Sequence, residues 1–378
     1  MSNDIVSVLK TCNIEVDPKS KGFLIRFLLS VRACVLPATW TAIFIGTFLA
    51  LHEGFFNWFP FILLFFSMSF AHMTNNLLND YFDWKYGIDT ENYVRAQYSP
   101  HPILHGLFSP RKVLALATLF TLIDFAVMVH FYMIRGWLIV VFAVTGFFLS
   151  FSYAGPPLKL KYHGLGEVSN FLVWGPLMTL GVYFVFTGHI TFRAILLSIP
   201  YGVLMFYSLA GKHLDKINED KPLGLKTLPI IIGVNNTKRI IKFFVWFNYV
   251  YIVVLVLLGY MAVWGLLVLL TIPRAITINK ILGMSKPEKN PFVSPVSGLA
   301  ALFGSPSILK SFDFSAKKGN WPIWPLWYIA WLFSLSKSFG YMFITSLLLE
   351  LFLPWKIFIF AFVPVLLNFF SYSYWGCL

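Results

Sequence analysis

Apolar residues in this chain come in long runs rather than in amphipathic stripes. Runs near 28–50, 57–79, 112–132, 137–156, 166–187, 192–212, 240–260 and 261–279 reach about the twenty residues that a helix needs to cross a hydrocarbon core. The polar stretches between them are short, except from Lys286 to Trp321, where Pro, Ser, Gly and Lys predict an extramembrane loop. Apolar character returns from Pro322 to Trp375 in two or three shorter segments, broken at Lys337 and at Pro354-Trp355-Lys356. The pattern predicts an all-α, polytopic membrane bundle of nine or ten helices. It divides into a short extension over 1–25, a bundle over 26–280, a loop over 281–321 and hydrophobic segments over 322–378.

Composition agrees with the pattern: 58% of residues are hydrophobic, 19% aromatic and 12% charged, outside the range of soluble domains. The net charge of +13 does not point to nucleic acid, because the basic residues lie between apolar runs instead of forming a polar-interleaved basic stretch. They report topology. Of the 29 Lys and Arg residues, five lie up to Arg32 and twenty in the loops after the second, fourth, sixth and eighth spans, so the amino terminus and those loops are predicted to be cytoplasmic. The expected location is therefore a cell membrane, plasma or inner, with the polar chemistry facing the cytoplasm. Cys12, Cys34 and Cys377 are too scattered for a disulfide framework or a metal knuckle. The polar first twenty residues argue against a cleaved signal peptide.

Two acidic clusters end apolar helices on that predicted cytoplasmic face. The first, Asn79-Asp80-Tyr81-Phe82-Asp83-Trp84-Lys85-Tyr86-Gly87-Ile88-Asp89, places Asn79 and Asp83 one helical turn apart on one face, and Gly87 lets the chain bring Asp89 round. Carboxylates with an amide oxygen suit Mg²⁺, which keeps waters and takes further ligands from phosphate. A helix end turning polar toward solvent would explain one such cluster, but Asn75 and Asn76 inside the span are costly unless they face a cavity. The second cluster, Asp215-Lys216-Ile217-Asn218-Glu219-Asp220, allows two arrangements. Either Asp215 and Glu219 pair on one helical face, or the helix ends and Asp220 swings in. Lys212 and Lys216 beside these acids are either charge partners or phosphate contacts.

The ordered motifs resemble the UbiA superfamily of intramembrane prenyltransferases, over most of the chain to about residue 280. Asn79 through Asp89 is similar to the first motif in the spacing of the naphthoate prenyltransferase branch. Pro100-His101-Pro102-Ile103-Leu104-His105-Gly106 is similar to the segment that follows it. Ser152-Tyr153-Ala154-Gly155-Pro156-Pro157-Leu158-Lys159 with Tyr162-His163-Gly164-Leu165-Gly166-Glu167 resembles the fourth-to-fifth span connection, and Asp215 through Gly233 the second motif. That second motif is one residue longer than the usual step, and Gly211-Lys212-His213 stands where an asparagine-rich approach is common.

The resemblance implies Mg²⁺ held by Asn79, Asp83, Asp89, Asp215, Glu219 and Asp220 against the diphosphate of an isoprenoid donor, with Asp83 and Asp215 central to catalysis. Lys159, Lys161, Lys212, Lys216, Arg26 or Arg32, and His101 are the implied diphosphate contacts, each also readable as a positive-inside or solvated loop residue. Tyr153 is the ring implied to shield the carbocation. The acceptor would be a small aromatic or lipid-like molecule reached within the bilayer, with quinone biosynthesis as the setting. The competing class is a transporter or channel with an acidic cation-binding vestibule, which should show internal repeats or mid-span ionisable residues. No repeat is evident, and the acids gather at one face. A phosphatidyltransferase would carry a DGxxAR signature, which is absent, and a soluble prenyl-chain synthase would not be this hydrophobic.

Overall fold

A computed structural model describes residues 2–353, apart from Glu15, Val296, Ser297 and residues 299–302. Two short helices, α1 (Ser2–Thr11) and α2 (Phe23–Ser30), precede the bundle. The bundle helices are α3 (Leu36–His52), α4 (Trp58–Lys85), α5 (Pro110–Arg135), α6 (Leu138–Phe151), α7 (Gly166–Thr187), α8 (Phe192–Asp215), α9 (Val234–Leu257), α10 (Val263–Gly283) and α11 (Tyr328–Phe352). Among the described residues eight are long and apolar enough to cross a membrane. The ninth, α6, is apolar but has 14 residues, about 21 Å at the usual rise, shorter than the span expected over 137–156.

Local chemistry sets the helix ends. The side chain of Asn57 accepts from the Phe59 amide, Ser109 precedes Pro110 and accepts from the Lys112 amide, and Thr191 accepts from the Ala194 amide, each satisfying an orphan donor of a first turn. Within α7, Pro176 removes a backbone donor and the helix widens to a π-turn over Val173–Leu177. That turn meets α8 glycine to glycine: a Cβ on Gly175 would lie 2.7 Å from the Gly202 Cα, so any larger residue there would separate the two helices. Helix α8 is the most enclosed span and α5 the least. The main core packs α3, α7, α8, α9, α10 and α11 together.

Two expectations need correction, on Lys337 and on the cysteines, and the structure chooses between the two arrangements of the second cluster. Lys337 does not break the last segment: α11 is continuous, with the Lys337 ammonium 4.9 Å from the centre of the Phe333 ring. The break at Pro354 and the segments beyond it lie outside the described residues. Within the expected loop, Phe292–Val293 and Phe312–Asp313 pair antiparallel, and Phe312 and Trp321 pack with Trp327 and Trp331. The cysteines are not all scattered either. The α1–α2 hairpin folds back so that Cys12 and Cys34 approach to 5.3 Å between Cα atoms and form a disulfide, a closure that sequence spacing alone does not show. Finally, α8 stops at Asp215, and Ile217–Asp220 forms a separate turn. Asp215 and Glu219 therefore share no helical face; the helix ends and Asp220 swings in.

Asp215 itself closes the start of α11. Its two carboxylate oxygens accept the backbone amides of Tyr328 (2.9 Å) and Ile329 (3.0 Å), and a negative charge there also meets the positive end of the helix dipole. Asp215→Ala is expected to lower the stability of the detergent-solubilised protein by about 1 kcal/mol, while Asp215→Asn keeps the acceptor and most of that stability. Equal denaturation midpoints for wild type and Asp215→Ala would contradict this role. The disulfide predicts that denatured, unreduced protein takes up two fewer maleimide labels than reduced protein. Equal label counts would show that Cys12 and Cys34 are thiols.

Candidate active site

The first acidic cluster occupies the last two turns of α4 and the bend after it. Asp80 is fully buried. Arg95 grips it in a two-pronged pair, Nε to Oδ1 at 3.0 Å and Nη2 to Oδ2 at 2.8 Å, and Arg32 adds a third charged contact. A buried carboxylate with two guanidinium partners is a structural clamp, because an uncompensated charge there would be prohibitively costly. Arg95 also donates to the Ser99 carbonyl at 2.9 Å, tying the following loop to the helix.

Asp83, one turn on, faces a different set of partners: Lys161 forms an ion pair with it and the Tyr162 hydroxyl donates at 2.6 Å. The backbone then turns at Gly87, whose φ of +71° suits glycine, and the Asp83 carbonyl accepts the amides of Ile88 and Asp89. This bend delivers the Asp89 carboxylate back to the helix end. Asp89 is buried and neither of its oxygens has a hydrogen-bond partner; the Asn79 Oδ1 is likewise buried and unpartnered. His101 lies 3.3 Å from Asp89, out of line for a hydrogen bond. The His101 Nδ1 accepts the amides of Ile103 and Leu104, so its proton sits on Nε2, facing Asp89.

The second cluster meets the first through the loop after α4. The Tyr93 hydroxyl donates to Asp220, and the Lys216 ammonium stands 4.0 Å from Asp220 and 4.3 Å from the Tyr93 ring centre. Burial first, then the nearby carboxylate, push the phenols of Tyr93 (by Asp220) and Tyr162 (by Asp83) well above their ordinary values, so both stay donors. Glu219 is partly exposed, yet its Oε2 is buried without a partner.

The predicted residues thus divide. Asn79, Asp83, Asp89, Asp220, Lys161 and Lys216 converge on one end of the bundle, with Glu219 at its edge. Lys212 lines the cavity beneath, beside Asn79 and Arg32. Asp215 is turned to α11 and leaves the ligand set. Lys159 rests on the Tyr86 ring at 3.7 Å, and Arg26 lies over Phe108 in a separate cleft, so Arg32 is the arginine of the first segment that enters the site. Tyr153 lines the cavity, 5.8 Å from the Lys161 ammonium to its ring centre. Sequence reasoning gave no role to Asp80, Arg95, Tyr93, Tyr162, Glu167 or His213. Only Asp80, an acid beside Asn79 within an apolar run, carried a readable signal.

The donor set fits a hard divalent cation. The buried unpartnered oxygens of Asn79 and Asp89 are of the type Mg²⁺ takes, and too few protein ligands face one point to close a cage, leaving positions for phosphate. Among the described residues, the one His, Cys, Asp and Glu group whose ligand atoms fall within 4.8 Å of one another is Asp80, Asp89 and His101. Asp80 is taken by its arginines, which leaves Asp89 as the free carboxylate of that group.

Two cavities share a wall inside the bundle. One, of about 230 Å³, is lined mostly by apolar residues of α4, α5, α6 and α7; the other, of about 290 Å³, includes Arg32, Lys212 and the α8 and α11 faces. His72, Asn75, Tyr153, Asn170 and Trp174 line both. An apolar chamber sharing a wall with one lined by Asn79, Arg32 and Lys212 can hold a molecule with a long hydrocarbon part and an anionic head.

Comparison with known proteins bears on the family and the fold. Residues 38–293 match the UbiA prenyltransferase family. The chain is 27% identical over 249 residues to 1,4-dihydroxy-2-naphthoate octaprenyltransferase of Bacillus subtilis, covering 66% of this chain and 79% of that protein. In fold it is similar to a UbiA homologue from Aeropyrum pernix K1 (TM-score 0.56, 13% identity, 83% of this chain and 98% of that one). It is also similar to a UbiA homologue from Archaeoglobus fulgidus bound to GPP and Mg²⁺ (TM-score 0.51, 12% identity, 85% and 99%). With the family match covering more than half of its length and its acidic clusters joined at one end of a membrane bundle, this chain belongs to the UbiA prenyltransferase family.

Proposed function

We propose that the protein transfers a prenyl group from an isoprenoid diphosphate to a small aromatic acceptor within the membrane, with Mg²⁺ as cofactor and quinone biosynthesis as the setting. The observation that carries this reading is the pair of buried, unpartnered donors, Asn79 Oδ1 and Asp89, the first of them lining, with Arg32 and Lys212, a cavity that shares a wall with the apolar one. Asn79, Asp83, Asp89 and Asp220 would hold the metal together with the diphosphate, and Glu219 stands near enough in sequence to join. When bound, the metal would draw off charge from the departing diphosphate. Lys161, Lys216 and Arg32 supply positive charge for the same anion, and Lys212 lines the cavity with Arg32. Tyr153 presents its ring toward the cavity where an allylic cation would form. The acceptor class follows the naphthoate-prenylating relative and the aromatic character of the shared cavity wall. The basic loops support a cytoplasmic active site in a cell membrane.

A vestibule for cation transport has less support. Its acids would need to stay hydrated and free along a path, whereas Asp80 is locked by two arginines.

Purified protein with Mg²⁺, allylic diphosphates of several lengths and 1,4-dihydroxy-2-naphthoate is expected to release diphosphate and form prenylated product. Chelation should abolish turnover, and Asp89→Asn should reduce it by roughly 10²- to 10³-fold. Wild-type protein that binds donor but transfers nothing to any acceptor in a panel of phenols and naphthols would overturn the reading.

A further inference from the structure

Beside the metal-facing groups lies a second chain of buried polar contacts that the diphosphate chemistry does not use. The His213 Nδ1 is 2.7 Å from the Glu167 Oε1, and the His213 Nε2 is 3.3 Å from the Tyr153 hydroxyl. Glu167 and His213 are almost wholly buried. A carboxylate only accepts, so Nδ1 carries the proton and Nε2 is bare and accepts from Tyr153. The imidazole is thus held in one tautomer by an acid and aimed at a hydroxyl, the arrangement by which a carboxylate-histidine pair makes an oxygen basic. Gly166 makes room for it: a Cβ there would press to 3.0 Å from Tyr153 and 3.5 Å from His213.

Place gives this chain its meaning. Tyr153 belongs to the wall shared by the apolar cavity and the cationic one, which is where a prenyl chain lying in the first and an acceptor in the second would meet. His72 shares that wall, but its Nδ1 is engaged by Thr39 at 2.8 Å and it packs edge-on against Trp174.

Resting on the proposed prenyl transfer, we infer that Tyr153, His213 and Glu167 form a proton relay that removes the hydroxyl proton of the aromatic acceptor as its ring attacks the donor. In that step the acceptor O–H pair becomes a C=O π bond and a ring π pair forms the new C–C bond to the allylic carbon. The allylic C–O bond breaks, and its electrons leave with the diphosphate. The acceptor proton passes to the Tyr153 oxygen while the Tyr153 proton passes to the His213 Nε2, and Glu167 balances the resulting imidazolium. Tyr153 is the catalytic residue; His213 and Glu167 position and charge it. Burial and then Glu167 push the Tyr153 phenol well above its ordinary value, so a free phenolate is disfavoured and the two transfers are coupled. The other charged groups facing Tyr153 are Asp83, Asp220, Arg32 and Lys161.

The test uses full-length protein in detergent, with donor binding and transfer to 1,4-dihydroxy-2-naphthoate followed across pH. His213→Gln, Glu167→Gln and Tyr153→Phe should each keep donor affinity and lose about 10²-fold or more in kcat. In His213→Gln a fluorinated acceptor whose hydroxyl is already ionised should restore most of the rate. Wild-type turnover in His213→Gln, or no rescue by the ionised acceptor, overturns the relay while leaving prenyl transfer standing. If His213→Gln loses donor binding, Tyr153→Phe carries the same comparison, and loss of donor binding in both shows a structural tie and overturns the relay. Wild-type protein that binds donor without transferring it overturns the proposed function and this inference together.

Discussion

The site depends on one buried carboxylate, Asp80, and the two arginines that make its burial possible. Asp80 has no exposed surface, Arg95 meets both of its oxygens and Arg32 meets one of them. Removing one member of such a cluster strands a charge and typically costs about 3–5 kcal/mol. The three residues come from separate places: the end of α4, the loop after it, and the turn before α3. Arg32 even adopts a φ of +53°, an uncommon backbone state for a residue with a side chain, held by the contacts around it. Because these pieces are pinned together, Asn79 and Asp83 on neighbouring turns, and Asp89 beyond the bend, have fixed places relative to one another, with Asn79 lining the cavity.

The second half of the site is built differently. An unbroken α8 would have put Asp215 and Glu219 on one face, but α8 stops at Asp215, and that carboxylate starts α11. The turn that follows presents Lys216 and Asp220 instead, with Tyr93 bonded to the acid and stacked near the amine. One motif thus supplies most of the oxygen donors, while the other contributes a single well-placed carboxylate and fixed positive charge. Lysines near an anion do part of what a second metal would do, at the cost of being desolvated.

Much of the fold could be read in advance, because runs of about twenty apolar residues leave few alternatives to membrane helices; seven of the eight long spans lie close to expected ones, and the eighth, Tyr328–Phe352, was expected as shorter pieces. The spacing of Asn79, Asp83, Gly87 and Asp89 was legible for the same reason, since helical periodicity and a glycine bend are local properties. What could not be read depends on distance along the chain. Nothing near Cys12 indicates that Cys34 returns to it, nothing near Asp215 indicates that residue 328 starts a helix above it, and Glu167 meets His213 only after α7 and α8 pack. Lys337 misled for a physical reason: a lone lysine reads as a break in an apolar run, but within a bundle it can lie along a neighbouring ring.

The central claim is that this rim binds a divalent cation and a prenyl diphosphate as one unit. Titrating Mn²⁺ into the purified protein, followed by electron paramagnetic resonance, tests it most directly. The account predicts weak Mn²⁺ binding to the protein alone, tight binding once a non-hydrolysable allylic diphosphate analogue is present, and loss of that tightening in Asp89→Asn. Diphosphate binding that is the same with and without metal, in wild type and in Asp89→Asn alike, would contradict it.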